Sequence, residues 1–258
     1  MPTVTYRDLT TLDEFAQVVD LEREIWGPGY NDVVPTPILT ISVKRGGILI
    51  GAFGDEAASD DGRGRLIGFV YSLPGIKDGK PTQWSHMLGV IDQFRADGVG
   101  SRLKLLQRDR ALAMGVELIE WTFDPLQAMN AHLNFAKLGV VAEEYEENIY
   151  GSSASPLHKG NPTDRLVAEW WLRRERQRHD WSGAQPFSPA AVAATAPKLT
   201  IDIPTGFTRM LSMAPDAALE WRMKTRSMFA SAFAARYVAV DFLLDRSAGK
   251  GSYLLTRR

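Results

Sequence analysis

The chain has 258 residues, 45% hydrophobic and 24% charged, with a formal net charge of −1. That length and balance allow one large domain or two smaller ones around a real core, and the near-zero charge supplies no global field for nucleic acid or an anionic membrane. The absence of cysteine excludes disulfides, thiolate metal sites and cysteine nucleophiles.

His86, His132, His158 and His179 show no HxH or HExxH spacing, so no metal site is expected. The first eight residues, Met-Pro-Thr-Val-Thr-Tyr-Arg-Asp, lack a basic stretch followed by an apolar one. Apolar runs such as Gly47–Phe53 fall far below the ~20 residues of a membrane span. A soluble, cytoplasmic protein is the expectation, with neither nucleic acid nor membrane as partner.

In chain order, Val4–Arg7 reads as a strand. Thr11 then caps a helix, with Glu14 completing a capping box. Val18, Val19, Leu21 and Ile25 give that helix an apolar face, and Gly27-Pro28-Gly29 stops it after Trp26. Pro35 to Lys44 reads as a second helix. Ile48–Phe53 and Leu66–Leu73 read as strands joined by an exposed Asp/Gly/Ser-rich loop from Gly54 to Arg65. A turn-rich stretch follows from Leu73 to Pro81, then a strand over Trp84–Val90. Val99–Met114 reads as a helix closed by Gly115, Val116–Phe123 as a strand ended by Asp124-Pro125, and Ala128–Leu138 as a helix closed by Gly139. The order β-α-α-β-β-β-α-β-α predicts a mixed α/β protein.

Arg174 to Lys198 starts charged and turns Ser/Gly/Ala/Pro-rich, reading as a linker or surface segment. Leu199–Ile203 (strand), Pro215–Tyr237 (helix), Val238–Leu244 and Ser252–Thr256 (strands) form a β-α-β-β unit, too short for an independent core. The expected organisation is a first domain over 1–173, a linker over 174–198, and an extension over 199–258 packed on the first domain. The extension could close a ligand pocket, complete the sheet or form a homodimer interface.

The segment with the clearest chemistry is Arg95-Ala96-Asp97-Gly98-Val99-Gly100-Ser101. A strand delivers the chain to Arg95, and two glycines open a helix. Glycine tolerates positive φ and lets backbone amides approach a ligand. The first helical turn has unpaired N–H donors and a partial positive charge, which suits a pyrophosphate. Arg95 can add a bidentate contact to phosphate.

Arg95 to Gly100 resembles the Arg/Gln-x-x-Gly-x-Gly/Ala motif of the GNAT superfamily of acyl-CoA-dependent N-acyltransferases. Leu88-Gly89-Val90 and Leu103 resemble its flanks, and Asn130 to Gly139 resembles its second signature. The resemblance covers about Thr3 to Tyr150. It implies a GNAT-like fold with a mixed, mostly antiparallel central sheet, and acetyl-CoA or another short acyl-CoA as donor. It also implies that the Leu88 and Val90 backbones pair with the pantetheine arm, that the amides from Arg95 to Ser101 hold the pyrophosphate, and that Asn130 lies near the cofactor tail. Phe135 stands where the family often has the tyrosine that protonates the leaving thiolate. Phe has no proton to give, so that role is vacant, not needed, or filled elsewhere, with Tyr145 and Tyr150 as candidates.

Acyl transfer to an amine needs a neutral amine, and so a nearby base. Two candidates are His86, which strand alternation places on the face of Leu88, and Asp124, at the end of a strand. Each could instead be structural: His86 a partly buried histidine with a satisfied hydrogen bond, Asp124 a helix or turn cap. Glu24 is a further candidate that a solvated surface position would explain equally. Trp26, Tyr145 and Tyr150 could line an acceptor pocket; Trp121 fits a buried strand face. Trp170-Trp171-Leu172 before Arg173-Arg174-Glu175-Arg176 reads as an element end with a solvated charge run, or as an anion-binding rim. The reading is an N-acyltransferase acting by direct transfer from a CoA thioester to a small-molecule primary amine. The alternative is a non-catalytic CoA-binding or regulatory module; protein acetylation is a third.

Overall fold

The computed structural model describes residues 4–27, 30–54, 64–151 and 160–258. The Pro28-Gly29 part of the first helix stop, most of the Gly54–Arg65 loop and the first three residues lie outside the described residues. The chain divides into two compact units, Met1–Glu120 and Trp121–Arg258. The fold is mixed α/β, with mostly antiparallel strands. Among the described residues no helix is long and apolar enough to cross a membrane.

The first unit opens with β1 (Val4–Asp8) and α1 (Leu12–Trp26). The capping box is present: Glu14 N donates to Thr11 Oγ1 at 3.3 Å and Thr11 N to Glu14 Oε2 at 2.9 Å. Burial pushes the Glu14 carboxyl up, but the Thr10 and Thr11 amides and the Arg7 guanidinium outweigh it and hold its pKa at about 2. α2 (Thr36–Lys44) follows, then β2 (Ile48–Gly54), β3 (Arg65–Lys77) and β4 (Lys80–Val90). These strands and β1 form an antiparallel array in the order β1-β2-β3-β4.

The stretch expected to be turn-rich from Leu73 to Pro81 is instead a hairpin. β3 runs to Lys77, with Pro74 opposite Gln83 and Gly75 opposite Thr82. Only Asp78 (φ 50°) and Gly79 (φ 73°) turn, both in the left-handed region. Asp-Gly is the two-residue turn whose twist matches its strands, and it outweighs the local signals of Pro74 and Gly75.

A 3₁₀ turn over Asp92–Asp97 leads into α3 (Val99–Ala113). β5 (Leu118–Phe123) starts parallel to β4. Val18, Leu39, Ile50, Phe69, Val70 and Leu103 are fully buried and form the heart of this unit.

In the second unit α4 (Ala128–Ala131) widens into a π-helical turn over His132–Leu138, where the sequence reads as one regular helix. Gly139 (φ 73°) ends it. β6 (Val141–Glu146) and β7 (Arg165–Trp171) are antiparallel; sequence patterning did not mark them as a pair. The segment 174–198 carries the two-residue β8 (Gln185–Pro186) and α5 (Pro189–Ala193), the latter capped by Ser188 Oγ accepting from Ala191 N at 3.1 Å. β9 (Lys198–Pro204), α6 (Phe207–Met213), α7 (Pro215–Ala234), β10 (Tyr237–Asp245) and β11 (Lys250–Arg257) complete the unit. β10 pairs with β11 and, at Ala239, with Ala142 of β6; β11 pairs with β9.

Candidate functional site

The segment from Arg95 to Ser101, the candidate anion cradle, turns through Gly98 into α3. Gly98 is the N-cap of α3 at φ 77°, a conformation that L side chains rarely adopt. No side chain caps this helix and no acidic residue lies in its first turn. The amides of Val99, Gly100 and Ser101 therefore meet no carboxylate of their own helix. A methyl built on Gly98 would touch nothing within 4 Å, so backbone angle, not crowding, demands glycine there. Asp97 and Gly98 are exposed, Gly100 and Ser101 half-buried, and Val99 is buried beneath them. The Arg95 side chain folds back: Nε donates to Val90 O at 3.0 Å and Nη1 pairs with Asp92 Oδ1 at 2.7 Å. It braces the turn that presents the cradle.

β4 reaches this cradle with one edge free of β5. β4 pairs with β5 at Gln83–Ile119 and Trp84–Glu120, and no pair follows from Ser85 to Val90 among the described residues. Leu88 and Val90 lie on this stretch and face α3: a methyl on Gly100 would meet Leu88 Cδ2 at 3.7 Å and Val90 Cγ2 at 3.9 Å. Backbone groups on such an open edge can pair with an extended ligand.

His86 does not share that face. Tyr71 pairs with Met87 and Ser72 with Ser85, so His86 is the extra residue of a β-bulge. The bulge breaks the alternation that the sequence suggested. The His86 ring instead packs edge-on against Tyr71, with centroids 6.1 Å apart. Desolvation by the surrounding protein lowers its pKa below the usual histidine value, favouring the neutral ring. Trp26 also lies on the Tyr71 side of the sheet. It meets Phe69 edge-on at 6.1 Å and Tyr30 at 5.2 Å. Glu24 sits on the surface, paired with Arg65 at 2.5 Å.

The second unit holds the remaining candidates. Asp124 Oδ1 and Oδ2 accept from Arg222 Nη1 at 2.7 Å and Nη2 at 2.8 Å, and Oδ1 also accepts from Leu126 N at 2.9 Å. Phe135 is buried, edge-on to Phe123 at 6.1 Å and Tyr253 at 5.5 Å. Asn130 is exposed on α4. The Tyr145 hydroxyl donates to Asp164 Oδ2 at 2.8 Å, and burial, then the Asp164 charge, push its pKa far up. Tyr150 is 52% exposed, its hydroxyl 2.9 Å from Thr122 Oγ1 and its ring 5.4 Å from the Arg165 guanidinium. Trp121 and Trp170 pack edge-on in the core at 6.3 Å.

The sequence marks Lys104 only as a cation early in α3 that an anion would offset, and three other side chains that matter here carry no such signal. Lys104 is buried on α3, with Nζ 2.7 Å from Ser85 Oγ and 3.2 Å from Gln107 Oε1, and desolvation lowers its pKa to about 7. Arg222 is 1% exposed and reads in sequence as one cation among many on a long helix. Glu22 and Tyr71 are both fully buried on opposed elements. Only the charge in an otherwise apolar α1 face could have flagged Glu22.

No family model and no curated protein matches the sequence. Solved structures match the fold. Arabidopsis thaliana NAA60 in complex with acetyl-CoA is 14% identical, covers 66% of this chain and 99% of its own, and has a TM-score of 0.51. A chain of the NatC complex bound to Gag peptide and CoA is 11% identical, with 64% of this chain and 96% of that chain covered, at 0.51. The acetyltransferase of GNAT family from Streptococcus pneumoniae is 15% identical, with 65% and 98% covered, at 0.50. The chain has the GNAT acetyltransferase fold, as its two sequence motifs imply.

Proposed function

We propose that this protein is a CoA-dependent N-acyltransferase that moves an acetyl or other short acyl group to the primary amine of a small molecule. The observation that carries the reading is the uncapped start of α3 at Gly98, next to the free edge of β4. The amides from Arg95 to Ser101 would hold the pyrophosphate, and the Leu88 and Val90 backbones the pantetheine arm. Asn130 would lie by the cofactor tail.

Transfer is direct. The amine nitrogen attacks the thioester carbonyl carbon, the C–S bond breaks, the amine proton leaves to a base and the thiolate takes a proton from an acid. Asp124 is engaged through both oxygens by Arg222, so the base role falls to His86, whose neutral ring desolvation favours. The acid role falls to Tyr150 rather than Tyr145, because Tyr145 already donates its proton to Asp164. The work is soluble chemistry without a metal, in the cytoplasm.

Calorimetry with CoA tests the reading. Micromolar binding is expected, and Gly98→Val, which forces a β-branched residue to φ 77°, should weaken it at least tenfold. Equal binding by wild type and variant overturns the reading. A second reading, a CoA-binding module without turnover, draws on Phe135, which has no proton to give and is locked between Phe123 and Tyr253. CoA binding without thiol release across a panel of amines would favour it.

A further inference from the structure

Three buried oxygens in the first unit lack any hydrogen-bond partner among the described residues: Glu22 Oε1, Ser42 Oγ and Tyr71 Oη. Their residues are 0%, 6% and 0% exposed. Buried polar atoms are nearly always paired, so three orphans in one place point to a missing partner.

Their convergence follows from the register of the elements. Trp26 of α1 stacks edge-on with Phe69 of β3. One turn back along α1 lies Glu22, and two residues on along β3, on the same face, lies Tyr71. Burial raises the Tyr71 pKa, the nearby Ser42 hydroxyl on α2 lowers it, and the Glu22 charge raises it further. The other Glu22 oxygen, Oε2, accepts from Val34 N at 2.9 Å, so Oε1 alone is left over. Val34 belongs to residues 30–35, which run outside helix and strand between α1 and α2.

We propose that Glu22 Oε1, Ser42 Oγ and Tyr71 Oη form the receptor for the primary ammonium group of the acceptor. The proposal rests on the acyltransferase reading above and names the substrate site it lacks. Three oxygens, one of them carrying charge, match the three N–H donors of an ammonium. Trp26, Tyr30 and Phe69 supply an apolar wall beside them for the carbon body of the ligand. His86, the proposed base, packs edge-on against the same Tyr71 ring.

The electrostatics agree. Burial, opposed only in part by the Val34 amide and by Arg23 on the same helix, raises the Glu22 pKa to about 7. The groups facing it from the packed elements are Tyr71 on β3, with His86 on β4 behind it, and the uncharged Ser42 on α2. An ammonium beside the carboxylate would lower that pKa again, so below pH 7 binding releases a proton and tightens as pH rises.

The experiment is calorimetry of the full chain saturated with CoA, titrated with benzylamine, with benzyl alcohol and with benzyltrimethylammonium. Benzylamine should bind, and both analogues should bind at least tenfold more weakly. Glu22→Gln should weaken benzylamine at least tenfold, and Tyr71→Phe, which removes only the phenol oxygen, severalfold, with CoA affinity within twofold of wild type. Below pH 7, heats in buffers of different ionisation enthalpy should reveal proton release. Unchanged benzylamine affinity in Glu22→Gln or, where that variant does not fold, in Tyr71→Phe and Ser42→Ala overturns the proposal. So does benzyl alcohol binding as well as the amine, or no amine binding at all. Glu22 is then a neutral carboxyl sharing its proton with the two hydroxyls. CoA binding and its loss in Gly98→Val stand apart from every one of these outcomes, so the acyltransferase reading can survive this failure.

Discussion

Arg222 grips Asp124 through both carboxylate oxygens, at 2.7 and 2.8 Å, from a position 1% exposed to solvent. Its Nε donates to Asn161 Oδ1 at 3.0 Å, and its guanidinium lies 5.1 Å from the Phe207 ring. Burial by itself would lower the arginine pKa, but the Asp124 hydrogen bonds and charge raise it instead. A cation held this way on α7 makes the carboxylate after β5 a structural anchor.

Removing one partner of a buried ion pair leaves the other uncompensated, at a cost of about 3–5 kcal/mol. Arg222→Met and Asp124→Asn should each lower stability by that order in denaturant unfolding. The double variant should be clearly less damaged than the sum of the two, giving a coupling of about 2 kcal/mol or more. Additive losses would mean that the pair contributes nothing specific. A shift of the pH–rate profile in Asp124→Asn, in protein shown to be folded, would return Asp124 to the role of base.

Stability should also carry the signature of Glu22. Its pKa rises from 4.5 in the open chain to about 7 in the fold. The folded state therefore holds a proton that the unfolded state gives up, and the stability this lends is full below pH 4.5 and lost as pH rises through 7. With 1.36 kcal/mol per pKa unit, the loss is about 3 kcal/mol. Glu22→Gln cannot lose that proton, so the difference in Tm between variant and wild type should grow between pH 4.5 and 7 in favour of the variant. A constant difference over that window would refute the raised pKa.

How much of this could be read in the sequence depends on the range of each signal. The glycine turn into α3 was legible because Gly98 and Gly100 act locally, through backbone angle and close approach. The capping box of Thr11 and Glu14 was legible for the same reason. The face of His86 was not, because alternation holds only for a regular ladder, and the bulge is fixed by pairing with Tyr71 and Ser72. β6, with Glu143, Glu144 and Glu146, carries no apolar period, so only its neighbours β7 and β10 define it. Glu22, Ser42 and Tyr71 lie 20 and 29 residues apart on three elements, and Arg222 is 98 residues from Asp124. Such meetings exist only in the folded chain.

Lys104 is the third buried charge to test. Desolvation lowers its pKa from 10.5 to about 7, so the fold is penalised increasingly as pH falls from above 10 towards 7, where the open chain takes up a proton that the fold resists. Ser85 and Gln107 are already within 3.2 Å of each other and can remain paired without the amine. Lys104→Met should therefore stabilise the protein at pH 7 by roughly 1–4 kcal/mol, with a gain that shrinks towards pH 10. Thermal unfolding at the two pH values decides it, and a destabilised variant at pH 7 would show that the ammonium is worth more than its desolvation costs.

The two tyrosines should separate in kinetics. Tyr150 presents its hydroxyl at the surface against Thr122, whereas Tyr145 is stacked on Phe229 at 5.8 Å with its proton committed to Asp164. Asp164 in turn is held by Arg226 Nη2 at 2.7 Å and by the Asn148 amide at 3.0 Å. Losing the Tyr145 hydroxyl therefore disturbs a buried network, and Tyr145→Phe should lower stability by about 1 kcal/mol with kcat nearly unchanged. A general acid contributes about a hundredfold or more, so Tyr150→Phe should lower kcat by that order while leaving CoA affinity and Tm in place. With a donor whose leaving group needs no proton, such as a 4-nitrothiophenol thioester, Tyr150→Phe should regain most of the lost rate. A hundredfold loss that persists with the activated thioester would show that Tyr150 positions the acceptor instead of protonating the thiolate.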